Sequence, residues 1–133
     1  MKKIILIGAG KRVTNTIIPA ILKNKKFLIH QVISLTAGKE IKISDEKKDH
    51  LFITSTLNKI DLKNINYIYL GIPSLEIAKV IKSILKSDKS DQINLLIDTP
   101  PLNIKDLLKL SYLSKFKNVY ILEDWPFLQT TNI

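Results

Sequence analysis

Two glycines near the start of the chain, Gly8 and Gly10, stand where a backbone turn could receive a phosphate group. They directly follow four aliphatic residues at positions 4–7, a run typical of a strand buried on both faces of a parallel sheet. Gly8 and Gly10 allow a tight turn, and Gly10 in particular allows backbone to come close to a diphosphate. The helix predicted next would present its free N–H groups and positive dipole end to an anion above the glycines.

These residues predict the first strand–turn–helix unit of a dinucleotide-binding fold. The Gly-x-Gly-x-x-Gly fingerprint of such a unit is incomplete here, because its third position is Val13. The third glycine normally permits close packing of the helix on the strand. We therefore expect Val13 to change the placement of the helix more than the contact with phosphate. The alternative interpretation is a plain turn that binds no ligand.

The length of 133 residues predicts one domain, residues 1–133, with a hydrophobic core of its own. The sequence has no cysteine, which excludes disulfides, thiolate metal sites and cysteine nucleophiles and fits a cytoplasmic protein. The acidic residues at positions 45, 46 and 49 are interpreted as a solvated surface, and no metal site is expected. The apolar run at 4–7 is too short for a signal peptide or a membrane span.

The formal net charge of +9 raises the question of a nucleic-acid partner. Every basic residue except Arg12 is a lysine, and the lysines are scattered along the chain. Sequence-specific readers use arginine pairs on base edges, and single-strand binders place exposed aromatic residues between their charges. Neither pattern is present in the sequence, so we expect no specific binding of nucleic acid.

Strand and helix patterns alternate along the chain. The predicted strands cover residues 4–7, 27–35, 51–54, 67–72, 93–98 and 118–122. The predicted helices cover residues 13–23, 75–86 and 103–114, with Pro19 expected to kink or restart the first and Ser74 to cap the second. The polar segment 39–50 is expected to form no more than one helical turn. Right-handed crossovers then give a Rossmann-like α/β fold, a doubly wound, mainly parallel sheet of six strands with helices on both faces.

The carboxyl ends of the strands form the expected ligand edge of such a sheet. Leu35 and Thr36 follow the second strand, where a dinucleotide site normally has Asp or Glu for the adenosine ribose. Hydroxyl groups followed by Lys39 could instead tolerate a 2′-phosphate, which favours NADP, and an unliganded turn is the alternative. Asp98 ends the fifth predicted strand, where its carboxylate could orient a ligand or cap nearby backbone N–H groups.

Four stretches of the sequence together resemble a known family. They are residues 8–12 with Pro19-Ala20-Ile21, residues 52–73, Asp98-Thr99-Pro100 and residues 119–126. These stretches are similar to the nucleotide-binding domain of the glucose–fructose oxidoreductase/inositol dehydrogenase family (Gfo/Idh/MocA). Asp98-Thr99-Pro100 stands where that family has Glu-Lys-Pro.

The resemblance implies a domain that binds NAD or NADP and serves an oxidoreductase of a sugar or sugar-like substrate. It implies a diphosphate at the glycine turn, an adenosine ribose at the end of the second strand, and a nicotinamide beside the fourth and fifth strands. Asp98 and Thr99 would lie next to the transferred hydride as candidate catalytic residues. The implied cofactor contacts are Gly8, Ala9, Gly10, Lys11, Arg12, Val13, Leu35, Thr36, Gly71, Ile72, Pro73 and Asp98.

The sequence also departs from that family. Thr99 replaces the lysine of Glu-Lys-Pro, and a threonine neither ionises at neutral pH nor acts as a general base. The C-terminal substrate domain is absent from these 133 residues, so we expect a nucleotide-binding part that needs a missing or separate substrate domain. The alternative is a non-catalytic relic or partner subunit that acts by nucleotide binding or protein association. The apolar residues of segment 123–128 are a candidate surface for a protein partner or for self-association.

Overall fold

A parallel sheet of five strands forms the centre of the protein. The computed structural model describes residues 1–36, 38–44, 48–98 and 111–121. The described strands are β1 (Lys2–Ile7), β2 (Phe27–Ile33), β3 (Glu40–Ser44), β4 (Asp49–Ile53), β5 (Tyr67–Leu70), β6 (Asn94–Ile97) and β7 (Asn118–Ile121). The sheet order is β2-β1-β5-β6-β7, and each neighbouring pair is parallel. The chain therefore winds from β1 to one side and then to the other, with the switch point between β1 and β5.

Helical segments connect these strands. The α-helices are α1 (Ile18–Lys23) and α2 (Ser74–Ile84), a π-helical turn covers Val13–Ile17, and 3₁₀ segments cover Leu57–Lys59, Ser90–Gln92 and Ser111–Lys115. Pro19 lies in the first turn of α1, so the predicted restart of the helix at this proline is confirmed. Ser74 does not precede α2 but is its first residue, so the predicted cap at this position is wrong. Of the predicted helix 103–114, residues 103–110 lie outside the described residues.

The Rossmann-like α/β architecture is confirmed, but the prediction of six strands in one sheet is wrong. The segment predicted as the third parallel strand belongs to β4, which pairs antiparallel with β3 in a separate hairpin. A single bridge between Ile33 and Ser55 is the parallel contact found at this edge among the described residues. The described part of segment 39–50 forms no helical turn: β3 occupies residues 40–44, where the side chains alternate between exposed and inward positions with the period of a strand, and β4 begins at residue 49.

The core lies on both faces of the sheet, and β1 shows why. Ile5 and Ile7 are completely buried on the face covered by α2, whereas Ile4 and Leu6 are buried on the face covered by α1. Alternate residues of a strand point to opposite faces, so a continuous aliphatic run serves both layers. The helix predicted at 75–86 is confirmed as α2, and its buried residues Ile77, Val80, Ile81 and Ile84 share one helical face.

Candidate functional site

The first turn of the chain lies at the carboxyl edge of the sheet, directly against the end of β5. Gly8 has a φ angle of 121°, a backbone conformation that residues other than glycine rarely adopt. Its N–H donates to the carbonyl of Ile33 at 2.8 Å, and the N–H of Gly71 donates to the carbonyl of Ile7 at 2.8 Å. A Cβ on Gly8 would lie 2.1 Å from the carbonyl oxygen of Gly71. Glycine is therefore required here for both conformation and space.

Gly10 has a different environment from Gly8. It is exposed, and a Cβ at this position would meet nothing within 4 Å. Its carbonyl accepts the N–H of Thr14 at 3.0 Å, which begins the helical segment immediately after the turn. Ala9 is half-buried and Lys11 is exposed beside it. The turn thus leaves open space above Gly10, next to the first N–H groups of a helix and one lysine, an arrangement that can hold an anion.

Val13 packs where the third glycine of the fingerprint would stand. Its side chain is buried, and its Cγ2 would be 2.9 Å from a Cβ built on Gly71. A residue larger than glycine at position 71 would therefore collide with Val13. The close approach of helix and strand is therefore kept by a glycine directly after β5, at position 71, rather than by a glycine in the helix. Sequence reasoning missed this role of Gly71; a glycine that directly follows a buried strand is the pattern that points to it.

The helix after the turn begins with a π-helical turn. The N–H of Ile18 donates to the carbonyl of Val13, five residues back. Turns of this kind are rare and widen the helix locally. Val13 is the first residue of this irregular turn.

Arg12, Tyr69 and Asp98 form a cluster that joins the first turn to the ends of β5 and β6. The Nε–H of Arg12 donates to Oδ2 of Asp98 at 2.5 Å, and Nη2 donates to Oδ1 at 3.3 Å. The Tyr69 hydroxyl also donates to Oδ2 of Asp98. The Asp98 side chain is 5% exposed and that of Arg12 is 43% exposed. The structure therefore brings together two sequence-predicted site residues, Arg12 and Asp98, and adds a tyrosine that the sequence did not indicate.

The electrostatics of this cluster favour an ion pair. The hydrogen bond with Asp98 is the main cause that raises the pKa of Arg12 above its ordinary value. Burial is the main cause that raises the pKa of Tyr69, and the hydrogen bond with Asp98 adds to it. Tyr69 thus remains a neutral donor across the physiological range. One edge of the Arg12 guanidinium faces Asp98, and a guanidinium has five N–H donors, more than the two bonds to this carboxylate use.

A cleft of about 210 Å³ lies between the end of β2 and the start of α2. Its lining residues are Ser34, Leu35, Thr56, Leu57, Glu76, Lys79 and Val80. Leu35 thus lies at the cleft. Thr36 is exposed, and its N–H donates to Oγ of Ser34 at 3.3 Å. A dinucleotide across the first turn would place its adenosine at this end of the sheet edge.

The other predicted contacts follow β5. Ile72 is buried, and Pro73 is exposed immediately before α2. Thr99 and segment 123–128 lie outside the described residues. Two larger hollows, of about 460 Å³ beside Lys63 and Ser87 and about 520 Å³ beside Met1 and Phe27, lie at the amino edge, away from the expected ligand edge.

Two further findings apply to the part of the chain that the structure describes. None of its helices has the length and apolarity needed to cross a membrane. No group of three or more histidine, aspartate or glutamate side chains comes together there in a way that could hold a metal ion.

The sequence matches no protein-family model and no curated protein sequence. Similar folds are found among solved structures. A probable oxidoreductase, YhhX, superposes with a TM-score of 0.64 at 18% identity, over 93% of this chain and 36% of that protein. An oxidoreductase from Bacillus cereus superposes with a TM-score of 0.62 at 14% identity, over 93% of this chain and 35% of that protein. This chain therefore spans about a third of the length of these two neighbours.

Proposed function

We propose that this chain is the NAD(P)-binding domain of a Gfo/Idh/MocA-like oxidoreductase acting on a sugar or sugar-like substrate. The observation that carries the proposal is the first turn, where Gly8 is locked against β5 while the space above Gly10 is open. The similarity in fold to two oxidoreductases supports it. In this proposal a diphosphate lies above Gly10 and Lys11, and the adenosine enters the cleft beside Leu35.

In this proposal Arg12 contacts the dinucleotide beside the first turn. Its guanidinium is held by Asp98, so the N–H groups on its outer edge are the ones that meet the nicotinamide-side phosphate. Withdrawing Arg12 from Asp98 would leave a buried carboxylate without its cation, which is strongly unfavourable. The ion pair therefore persists when the dinucleotide binds.

The substrate site belongs to a further domain in this proposal. The chain corresponds to about a third of each neighbour, and a separate polypeptide or a further part of the same protein supplies the rest. We propose no catalytic activity for the 133 residues alone, because Thr99 cannot take the role of a lysine base.

A second candidate is a non-catalytic nucleotide-binding subunit. The observation that favours it is the engagement of Asp98 by Arg12, since a carboxylate already bound to a guanidinium is a poor proton acceptor for substrate chemistry. The two candidates differ in one result: supplying the missing substrate domain in trans gives hydride transfer only in the first.

Titration with NADH and NADPH tests the shared premise. Binding followed by nicotinamide fluorescence should be accompanied by a rise in unfolding free energy of about 2.7 kcal/mol at 100 times the dissociation constant. Gly10→Val is the matched variant, because its side chain enters open space and leaves the fold intact but occupies the place of the diphosphate. We expect wild-type melting for Gly10→Val without ligand, and at least tenfold weaker binding. No thermal shift of the wild type at millimolar cofactor, or unchanged binding by the variant, would contradict the proposal.

A further inference from the structure

The cleft beside β2 contains a carboxylate that comes from an unexpected element. Dinucleotide sites normally place an Asp or Glu at the end of the second strand, where it accepts hydrogen bonds from the adenosine ribose. The second strand here leads into Ser34, Leu35 and Thr36, with no acidic residue. Glu76, from α2, lines the same cleft as Ser34 and Leu35.

Glu76 lies where a carboxylate can accept hydrogen bonds from hydroxyl groups. It lies in the first turn of α2, where the positive end of the helix dipole stabilises a negative charge. Its side chain is half-buried rather than fully exposed. An ionised carboxylate accepts hydrogen bonds and donates none, so it matches two vicinal ribose hydroxyls.

The remaining walls of the cleft suit the base and the ribose. Leu35, Leu57 and Val80 provide apolar contact for a flat ring, and Ser34 and Thr56 provide neutral hydroxyls. The volume of about 210 Å³ is below the roughly 300–1,000 Å³ of sites that enclose a whole ligand. The cleft therefore holds one end of a dinucleotide, while the rest extends over the first turn.

A 2′-phosphate would meet like charge in this cleft. It would bring about two negative charges next to the Glu76 carboxylate. Lys79 also lines the cleft, but it is exposed one turn further along α2, where water screens its charge. The half-buried carboxylate therefore has the larger effect on which ligand is accepted.

We propose that Glu76 binds the adenosine ribose hydroxyls, in place of the missing acid after β2, and that the cleft consequently selects NAD over NADP. This inference rests on the proposed dinucleotide-binding function. It makes Glu76 a specificity-determining residue contributed by the helix that follows β5.

The test compares NADH and NADPH affinities of the wild type, Glu76→Gln and Lys79→Gln by fluorescence titration. We expect the wild type to bind NADH at least tenfold more tightly than NADPH. Glu76→Gln should lose about tenfold in NADH affinity and bind NADPH more tightly, because a charged hydrogen-bond acceptor and a repulsive charge are both removed. Lys79→Gln, in the same helix and cleft, should change the ratio of the NADH and NADPH affinities less than Glu76→Gln does, because water screens the charge of this exposed lysine. Thermal melting of each variant without ligand verifies that it is folded.

The possible failures are distinguishable. A wild type that binds neither cofactor overturns the proposed function, and this inference with it. A wild type that binds NADH but prefers NADPH, or a Glu76→Gln variant with an unchanged preference, overturns this inference alone. A preference that moves in Lys79→Gln and not in Glu76→Gln assigns selectivity to the lysine and likewise overturns it.

Discussion

Removing Arg12 should destabilise the protein through the carboxylate that it leaves behind. Loss of one partner from a fully buried ion pair costs about 3–5 kcal/mol. That range is an upper bound here, because the Arg12 side chain is 43% exposed and water already screens the pair. Asp98 also keeps the hydrogen bond from the Tyr69 hydroxyl. We therefore expect Arg12→Ala to lower the free energy of unfolding by about 2 kcal/mol, and the midpoint of thermal unfolding by about 6–10 °C.

A double-mutant cycle separates the ion pair from other effects of the substitution. Asp98→Asn should cost about 1 kcal/mol, because the half-exposed guanidinium regains water and Tyr69 can still donate to the amide oxygen. If the two losses added, the double variant would lose about 3 kcal/mol. We expect about 1.5 kcal/mol instead, since the amide introduced at position 98 carries no charge that needs a partner.

The assay is urea denaturation followed by far-ultraviolet circular dichroism, with equal slopes required across the four proteins. Lys11→Ala is the matched control, since Lys11 is the exposed neighbour of Arg12 and should change stability by less than about 0.5 kcal/mol. If the loss of the double variant equals the sum of the two single losses within about 0.5 kcal/mol, Arg12 and Asp98 are not energetically coupled and the reasoning is refuted.

Two further perturbations act on neighbours of this cluster. The pKa of Tyr69 is raised from its ordinary 10.0 in the folded protein. The Tyr69 hydroxyl therefore contributes fully to stability below pH 10, and this contribution is lost as pH rises above 10. Above pH 10 the free energy of unfolding of the wild type should therefore fall more steeply than that of Tyr69→Phe, by up to about 1.4 kcal/mol per pH unit. Urea denaturation of both proteins from pH 8 to 11 measures this difference. Parallel plots of unfolding free energy against pH would contradict the role of the buried hydroxyl. Gly71→Ala should cost about 2 kcal/mol, because its Cβ would lie 2.8 Å from Cε1 of Tyr69 and 2.9 Å from Cγ2 of Val13. In a Val13→Ala background the same change should cost clearly less, and an equal loss in both backgrounds would show that Val13 is not the obstacle.

The parts of the fold that the sequence predicted are those fixed by local pattern. The strands at 67–72, 93–98 and 118–122 correspond to β5, β6 and β7, and over the described residues their ends differ by at most two residues. Each is a short aliphatic or aromatic run between turn residues, which leaves little choice of structure. The apolar stripe of α2 has the period of a helix for the same reason.

The sequence does not clearly predict the β3–β4 hairpin, because the alternating pattern of β3 indicates a strand whereas its charged residues are typical of an exposed loop. Glu40, Lys42 and Ser44 alternate with inward-facing Ile41 and Ile43, a clear period of two, yet the segment is short and rich in ionised residues. The predicted third strand, at 51–54, was located almost correctly but was assigned the wrong partner. Pairing is a long-range property, and the apolar pattern of one strand does not specify its neighbour.

The candidate site shows the same limit at the level of single side chains. Arg12 and Asp98 were each assigned to the ligand edge, but nothing in residues separated by 86 positions indicates a shared ion pair. Tyr69 appeared only as part of an apolar strand, and its hydroxyl acquires a role because alternation directs it to the face where Arg12 arrives. The sequence does not point to Glu76, because the place of α2 beside the end of β2 is a property of the tertiary structure.

Three contacts fix the first turn before any ligand arrives. Gly8 packs on the carbonyl of Gly71, Val13 fills the space that Gly71 leaves, and Arg12 is bound to Asp98 at the end of β6. A turn held by the ends of two neighbouring strands would lose little conformational entropy on receiving an anion, so in the proposed function its N–H groups form a preorganised site. The same argument explains why an incomplete glycine fingerprint is compatible with binding. In the proposed function a diphosphate requires open space above Gly10 and a rigid turn beneath it, and neither depends on a glycine at position 13.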